Sequence, residues 1–135
     1  MSNRVFVGPA QDKVDVIELE AGAEILPGTV SVRDGSEVEA AGAAVTGEFF
    51  FVGNNILDDR DDAYAAGETV QNYRPRSGQY YALRLAASQE IAAGDGLTTN
   101  ATGLLVDADT DEPIVFADED VTTTASEVVI RVRVA

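Results

Sequence analysis

The sequence predicts an all-β domain, a compact β-barrel or sandwich with short turns. Apolar and polar residues alternate with a period of two in several segments, which is typical of strands with one buried face. Glycine and proline interrupt nearly every interval between these segments, as tight turns require. No window carries an amphipathic helical pattern over three turns, and only Asp58–Ala66 and Asp118–Ala125 are predicted to form short helical turns.

Seven segments are predicted to be strands. Three of them alternate, and four are short apolar runs or nearly so. The alternating segments are Thr29–Arg33, Tyr80–Leu85 and Glu127–Val134, and the others are Val14–Leu19, Phe49–Val52, Leu104–Val106 and Ile114–Phe116. In the last alternating segment Val132 is expected to face the core, with Arg131 and Arg133 on the opposite face. In the middle one Tyr80, Ala82 and Arg84 should face outward.

A short motif recurs four times, consisting of Ala-Gly, two mostly small or acidic residues and an aliphatic residue. It occupies Ala21 to Ile25, Ala41 to Val45, Ala66 to Val70 and Ala93 to Leu97. The spacing is too irregular for a solenoid array. Each copy therefore predicts a turn, in which glycine permits a positive φ and the aliphatic residue begins a strand that faces the core.

Length and composition exclude many functions. The chain has 135 residues, enough for one domain, with 24 acidic against 9 basic residues and a net charge of −15. Histidine, cysteine and tryptophan are absent, which excludes disulfides, thiolate nucleophiles and imidazole bases. A strongly negative protein repels phosphate backbones, so no nucleic-acid partner is expected. No segment is apolar for long enough to be a signal peptide or to span a membrane, so we expect no membrane partner and synthesis in the cytoplasm.

The basic residues are eight arginines and one lysine, Lys13. Many carboxylates with almost no lysine resemble the composition of proteins from salt-accumulating halophiles, because molar salt shortens the Debye length to about 3 Å and screens crowded carboxylates. An ordinary acidic protein that stays soluble through its charge is the alternative.

The chain is predicted to contain an N-terminal arm or first strand at 1–12, followed by a single β domain at 13–135. The arm carries Val5, Phe6 and Val7 before a Gly-Pro pair. Such a segment can add a strand to a partner's sheet edge, or it can be the first strand of its own barrel.

Two acidic segments are candidate sites. Asp107, Asp109 and Asp111 have the alternate spacing of calcium loops, but the glycine and the final glutamate of an EF-hand are missing, so an acidic surface loop is favoured over a bound cation and no cofactor is expected. The charge run Asp58–Asp62 could bind a cation or a basic partner, although a solvated loop is favoured. Its paired carboxylates could also serve a glycosidase. Such an enzyme needs a cleft that is usually lined with aromatic residues, and this chain has no tryptophan, so we predict no enzymatic activity.

The scarce arginines are candidates for a partner interface. Arg131 and Arg133 share one face of the last strand, and Arg74 and Arg76 flank Pro75. In an acidic protein, such residues are suited to the carboxylates of a neighbouring subunit. Ion pairs within the chain are the equal alternative. Phe6 completes the predicted partner interface.

Several stretches resemble the small capsid decoration, or cement, proteins of tailed viruses. The resemblance extends over roughly residues 17–134 and is carried by turn-and-strand signatures, which are Ala21 to Gly28, Ala66 to Val70, Gly78 with Tyr80–Leu85, Ile91 to Leu97, Thr102 to Leu105 and Glu127 to Val134. It implies a β-rich, non-catalytic protein, often trimeric, that binds the major capsid protein on the outer surface of the virion. Together with the composition, it implies a virus of a halophilic host.

Two other function classes remain open. The first is a small ligand- or carbohydrate-binding β-module of a viral fibre or cell surface, which would need a pocket lined by Tyr73, Tyr80 or Tyr81. The second is a hydrolase that uses paired carboxylates about 5–10 Å apart.

Overall fold

Thirteen β-strands form the regular structure of the described residues, which are 5–9, 14–54 and 61–135 of a computed structural model. They are β1 (Phe6–Gly8), β2 (Asp15–Ala21), β3 (Val30–Asp34), β4 (Glu37–Ala40), β5 (Phe50–Val52), β6 (Thr69–Arg74), β7 (Tyr80–Leu85), β8 (Glu90–Ile91), β9 (Gly96–Thr99), β10 (Leu105–Asp107), β11 (Val115–Ala117), β12 (Val121–Thr122) and β13 (Val128–Val134). The predicted all-β class is confirmed. Each of the seven predicted strands is present, within two residues of its predicted bounds.

The first closed ring of strands, here called barrel 1, has the order β2-β4-β3-β5-β6. Its β2 and β6 pair antiparallel over six positions, β2 and β4 pair in parallel at Glu20 and Ala21, and the other neighbours are antiparallel. Its interior contains small and branched apolar side chains together with Tyr64. The buried members are Ala21, Ile25, Val38, Val52, Tyr64 and Val70.

A second ring, here called barrel 2, follows in the chain. Five strands of a six-stranded sheet, in the order β7-β10-β9-β11-β13, are closed by the pairing of β13 with β7. The sixth strand, β1, pairs antiparallel with the start of β7. Residues 6–8 therefore form a strand in the sheet of their own chain. The interior is made of large aliphatic residues of β7, β9, β10, β11 and β13.

The two barrels have the same connectivity. In each barrel the first strand (β2 or β7) pairs antiparallel with the last strand (β6 or β13). The first strand also pairs in parallel with the second strand of a hairpin (β4 or β10). The other strand of that hairpin (β3 or β9) pairs with the fourth strand of the barrel in chain order (β5 or β11), which pairs with the last. When the parallel pair Ala21–Val38 of barrel 1 is matched to Leu85–Leu105 of barrel 2, the residue pairings of all five strands of barrel 1 align with those of barrel 2. The turn hydrogen bonds also match, since the N–H of Gly28 donates to a β5 carbonyl and the N–H of Gly94 to a β11 carbonyl, both at 2.8 Å. Barrel 2 is thus a structural repeat of barrel 1.

The barrels are joined through continuous packing. Val30 and Phe51 lie on the outer face of barrel 1 and belong to the same buried cluster as the interior of barrel 2. The β9–β10 turn reaches across the junction, where the N–H of Val30 donates to the carbonyl of Gly103 at 3.0 Å. Gly103 has a φ of +77°, and an added Cβ would lie 2.6 Å from the Val30 carbonyl oxygen, so this close approach requires glycine.

Three expectations need correction. Ala82 and Arg84 lie on the outer side of barrel 2 as expected, but they are buried rather than exposed, because barrel 1 covers that side of β7. Residues 118–125 hold the short strand β12 instead of a helical turn, since Val121 pairs with Ile91. In the segment 58–66, residues 58–60 lie outside the described residues. In the rest of the segment Tyr64 forms an antiparallel β-bridge with Ile25 instead of a helical turn.

The four Ala-Gly motifs differ in their turns. Gly67 and Gly94 have the predicted positive φ, at +87° and +93°. Each is followed by an acidic residue whose carboxylate accepts the N–H at the start of the turn. Gly22 and Gly42 do not have a positive φ, so the prediction is wrong there. No helix among the described residues is long and apolar enough to cross a membrane.

Candidate interaction surface

Arg131 and Arg133 lie on the outer face of β13, opposite the buried Val132, as the alternation predicts. Across the strands, Arg133 lies between Phe116 of β11 and Tyr80 of β7. The Arg133 guanidinium lies 5.3 Å from the centre of the Phe116 ring, and that of Arg131 lies 4.8 Å from the centre of the Tyr80 ring. Arginine and aromatic side chains therefore alternate across this face, here called the arginine ladder (Phe116, Arg133, Tyr80 and Arg131).

The ladder combines charge with flat apolar surface. Arg131 also forms an ion pair of 2.9 Å with Asp118, while its side chain remains 51% exposed. Its backbone N–H donates to the Glu119 carboxylate. Each guanidinium lies over an aromatic ring while the side chain stays exposed, and exposed arginines are suited to carboxylates of a partner.

Arg74 and Arg76 lie where β6 leads into β7. Both are exposed, and both form ion pairs within the chain. Arg76 pairs with Asp15 at 2.6 Å and Arg74 with Glu48 at 3.7 Å. Exposed pairs of this kind contribute little to stability, so a partner's carboxylates can exchange with them at small cost. Both arginines stay predicted partner residues.

Phe6, the fifth predicted partner residue, packs within its own chain. Its ring is half-buried and lies edge-on to Tyr81 at 5.4 Å and to Tyr73 at 6.4 Å. Phe51 joins the same cluster through Tyr81 at 4.7 Å. These rings pack together where β1 meets the two barrels. A partner could contact the exposed part of β1, which includes Val7.

Arg84 is the residue that sequence analysis missed. It is only 7% exposed, on the outer side of β7 where barrel 1 packs. Its Nε donates to the Pro27 carbonyl at 2.7 Å, and its guanidinium pairs with Asp61 at 3.2 Å and Glu127 at 3.4 Å. It thereby links the turn of barrel 1, the loop before β6 and the start of β13. The available signal was a lone charge within the apolar Tyr80–Leu85 strand.

The three aspartates of the calcium-like loop do not converge. The Asp107 carboxylate accepts the backbone N–H of Asp109 at 2.9 Å, so it is directed to the loop's own backbone. Asp109 has a φ of +50°. Among residues 5–9, 14–54 and 61–135, no group of three or more acidic side chains could hold a metal ion. The segment is a loop between β10 and β11.

Two grooves follow the junction of the barrels. One, of about 470 Å³, is lined by Val45 and Phe49 from barrel 1 and by Pro113 and Ile114 from barrel 2. The other, of about 240 Å³, has Arg84 in its lining. The tyrosine pocket required by the ligand-binding alternative is not formed by Tyr81, which is fully buried with its hydroxyl donating to Gln79.

The outer face of barrel 1 is acidic along β2 and β4, whereas the outer face of barrel 2 carries the arginine ladder on β7, β11 and β13. Glu18 and Glu20 of β2 and Glu37 and Glu39 of β4 are all exposed on neighbouring strands. We call these four residues the acidic edge. The molecule therefore separates its charge, since four carboxylates crowd barrel 1 and two stacked arginines lie on barrel 2.

Comparisons with known proteins find similarity in structure alone. No protein-family model matches the chain, and no curated protein sequence matches it. Among solved structures, the chain is similar to the N base of head fiber gp8.5 in bacteriophage phi29, with a TM-score of 0.59 and 15% sequence identity. The alignment covers 91% of this chain and 95% of that chain. The chain therefore shares its fold, over nearly its whole length, with the base of a phage head fiber.

Proposed function

We propose that this chain is a decoration protein of a viral head, which binds the major capsid protein on the outer surface of the assembled shell and stabilises it without catalysis. The observation that carries the proposal is the fold shared with the N base of a phage head fiber over 91% of the chain. It agrees with the resemblance to capsid decoration proteins that the turn-and-strand motifs indicate.

The physical properties of the chain support such a role. Histidine and cysteine are absent, and the described residues form two packed barrels, each with its own buried cluster, joined where the barrel 2 cluster includes Val30 and Phe51 of barrel 1. A rigid β-domain suits a protein that strengthens a shell, because many copies at symmetric positions multiply modest contacts. The proposed protein acts as a homotrimer without cofactor, nucleic acid or membrane, is made in the host cytoplasm and resides on the virion.

The host is proposed to be halophilic. Net charge is −15, and the acidic edge places four carboxylates on two neighbouring strands. Molar salt screens such repulsion, whereas dilute buffer leaves it strong. The trimer is therefore expected to be most stable towards the upper end of a series from about 0.1 M to about 3 M salt.

Cosedimentation with undecorated heads of the virus tests the proposal. The wild-type chain is expected to saturate heads at a fixed ratio of copies to capsid subunits. The Arg74→Glu/Arg76→Glu variant should bind about tenfold or more weakly, because two exposed charges that face a partner are reversed. Arg33→Glu, which reverses an exposed charge on β3 of barrel 1, is the control.

Two results would contradict the proposal. The first is wild-type protein that does not sediment with heads at any salt concentration. The second is a shell whose resistance to heat does not change when it is saturated with the protein. Saturable binding to a glycan array in the absence of head binding would favour the carbohydrate-binding module instead.

A further inference from the structure

Strand β2 of barrel 1 is much less covered than its counterpart β7 in barrel 2. Tyr81 and Leu83 of β7 are fully buried, whereas Ile17 and Leu19, which occupy the matching positions of β2, are only half-buried. Val16 is 45% exposed, the most exposed large apolar side chain of the described residues. The reason is that β1 and barrel 1 cover β7, while no described element covers β2 in the same way.

The backbone of the two strands shows the same difference. The N–H of Ala82 donates to the Val5 carbonyl at 2.7 Å and that of Arg84 to the Gly28 carbonyl at 3.0 Å. Glu18 and Glu20 hold the matching positions in β2. The N–H of Ala21 points towards β6, and N–H directions alternate along a strand, so those of Glu18 and Glu20 point away from β6. Strand β4 pairs with this edge only at Glu20 and Ala21. An edge of this kind is a template for docking.

The surface of barrel 1 that covers β7 also has a counterpart. It consists of the Gly28 turn with Phe51 and Tyr73, and Phe51 packs on Tyr81 at 4.7 Å. The matching residues of barrel 2 are Gly94, Phe116 and Arg133, by the registers of β9, β11 and β13. Gly94 and Arg133 are exposed, and Phe116 is half-buried. Barrel 2 therefore presents a docking surface of the type that barrel 1 uses within the chain.

The two uncovered surfaces have opposite charge. The edge on β2 contains Glu18 and Glu20, and the arginine ladder contains Arg131 and Arg133. We propose that a second copy of this chain places the arginine ladder and Gly94 turn of its barrel 2 on the β2 edge of barrel 1, repeating between chains the junction that joins the barrels within one chain.

The proposed contact has definite geometry. The Gly94 turn lies along the part of the β2 edge that β4 does not pair, where its carbonyl accepts the N–H of Glu18 of the second copy. Phe116 packs on Ile17 of the second copy, as Phe51 packs on Tyr81 within the chain. Because the two surfaces are different patches, the contact is heterologous and must close into a ring or continue as a filament. A ring of three chains would place six barrels in alternation. The inference thus deepens the trimer of the proposed function and rests on it for the number of copies alone.

Sedimentation velocity of the isolated protein, at the lowest salt concentration at which the wild-type chain associates, tests the inference. Wild-type protein is expected to be a closed oligomer. Arg131→Glu/Arg133→Glu and, separately, Glu18→Arg/Glu20→Arg should each raise the dissociation constant about 100-fold or more, because like charges then face each other. All four substitutions in one chain restore opposite charges across the interface and should recover most of the association. The control is Asp109→Arg/Asp111→Arg, which reverses two exposed carboxylates of the loop between β10 and β11 and should leave the oligomer intact.

The outcomes separate this inference from the proposed function. A monomeric wild-type chain, an oligomer that survives both double reversals, or a fourfold variant that stays monomeric while keeping the wild-type circular dichroism would each overturn the inference. Head binding by a protein whose oligomer ignores these substitutions would overturn the inference and leave the decoration role standing. The expected oligomer behaviour in a protein that does not bind heads would overturn the decoration role alone.

Discussion

Barrel 1 and barrel 2 have the same strand order but different interiors. In barrel 1 the Asn72 side chain accepts a hydrogen bond from Ser31 at 3.1 Å and donates to backbone carbonyls of Ile17 and Val70. Residues Leu97 and Val132 fill the matching positions of barrel 2, and both are fully buried. The difference shows that this topology depends on strand pairing and on filled volume, and that a satisfied polar pair can replace two aliphatic side chains.

The barrels differ equally at their outer edges. Glu20 and Arg84 occupy matching positions at the parallel pair of each barrel. Glu20 is exposed, whereas Arg84 is enclosed by the junction and held by the Pro27 carbonyl and two carboxylates. The same position of the repeat is therefore buried in barrel 2 and exposed in barrel 1. The reason is that barrel 1 covers β7, whereas no described element covers β2 in the same way.

Val132→Asp is expected to have the largest effect. It buries an unpaired charge in the aliphatic interior of barrel 2 and should cost roughly 4 kcal/mol or more, enough to unfold the domain. Because the core of barrel 2 includes Val30 and Phe51 from the outer face of barrel 1, circular dichroism should show loss of both barrels together, as the predicted single domain at 13–135 requires. A variant that retains half of the β signal would show that the barrels are independent. Arg131→Glu, one residue away on the outer face, should leave the fold intact.

Arg84→Ala should have an intermediate effect. It removes a buried side chain with three polar partners and should destabilise the chain by roughly 2–3 kcal/mol. This is below the usual loss for a broken buried ion pair, because Asp61 and Glu127 are partly exposed and can rehydrate. Glu20→Ala at the matching position should change the free energy of unfolding by less than about 0.5 kcal/mol. Urea unfolding of both variants measures the contrast. Equal effects would show that the junction does not stabilise the molecule through Arg84.

Ser31→Ala/Asn72→Val should have the smallest effect. Asn72→Val alone is expected to cost about 1–2 kcal/mol, since it leaves the Ser31 hydroxyl with a single weak acceptor, the Phe50 carbonyl at 3.4 Å. The double substitution removes both polar groups and should return stability to within about 1 kcal/mol of wild type. Unfolding midpoints of the two single variants and the double variant give the coupling. Additive losses would mean that the pair does not act as a unit.

Strand positions were predictable because burial of one face imposes a period of two. The alternation around Val132 assigned Arg131 and Arg133 to the outer face, and the apolar run before Gly53 marked a buried strand. The repeat could not be predicted, because matching positions such as Ile17 and Tyr81, or Asn72 and Val132, hold different residue types and share only the face of the strand on which they lie. The four Ala-Gly motifs, which do repeat in sequence, do not mark it.

The sequence by itself determined the all-β class, the location of the strands and the strongly negative surface, because these depend on local periodicity and on summed charge. The tertiary structure alone decided which strands pair in parallel, that two barrels repeat, and that Arg84 is enclosed while Glu20 is exposed. Those features depend on contacts between distant segments, such as Gly28 with Arg84, and no local pattern records what lies on the other side of a strand.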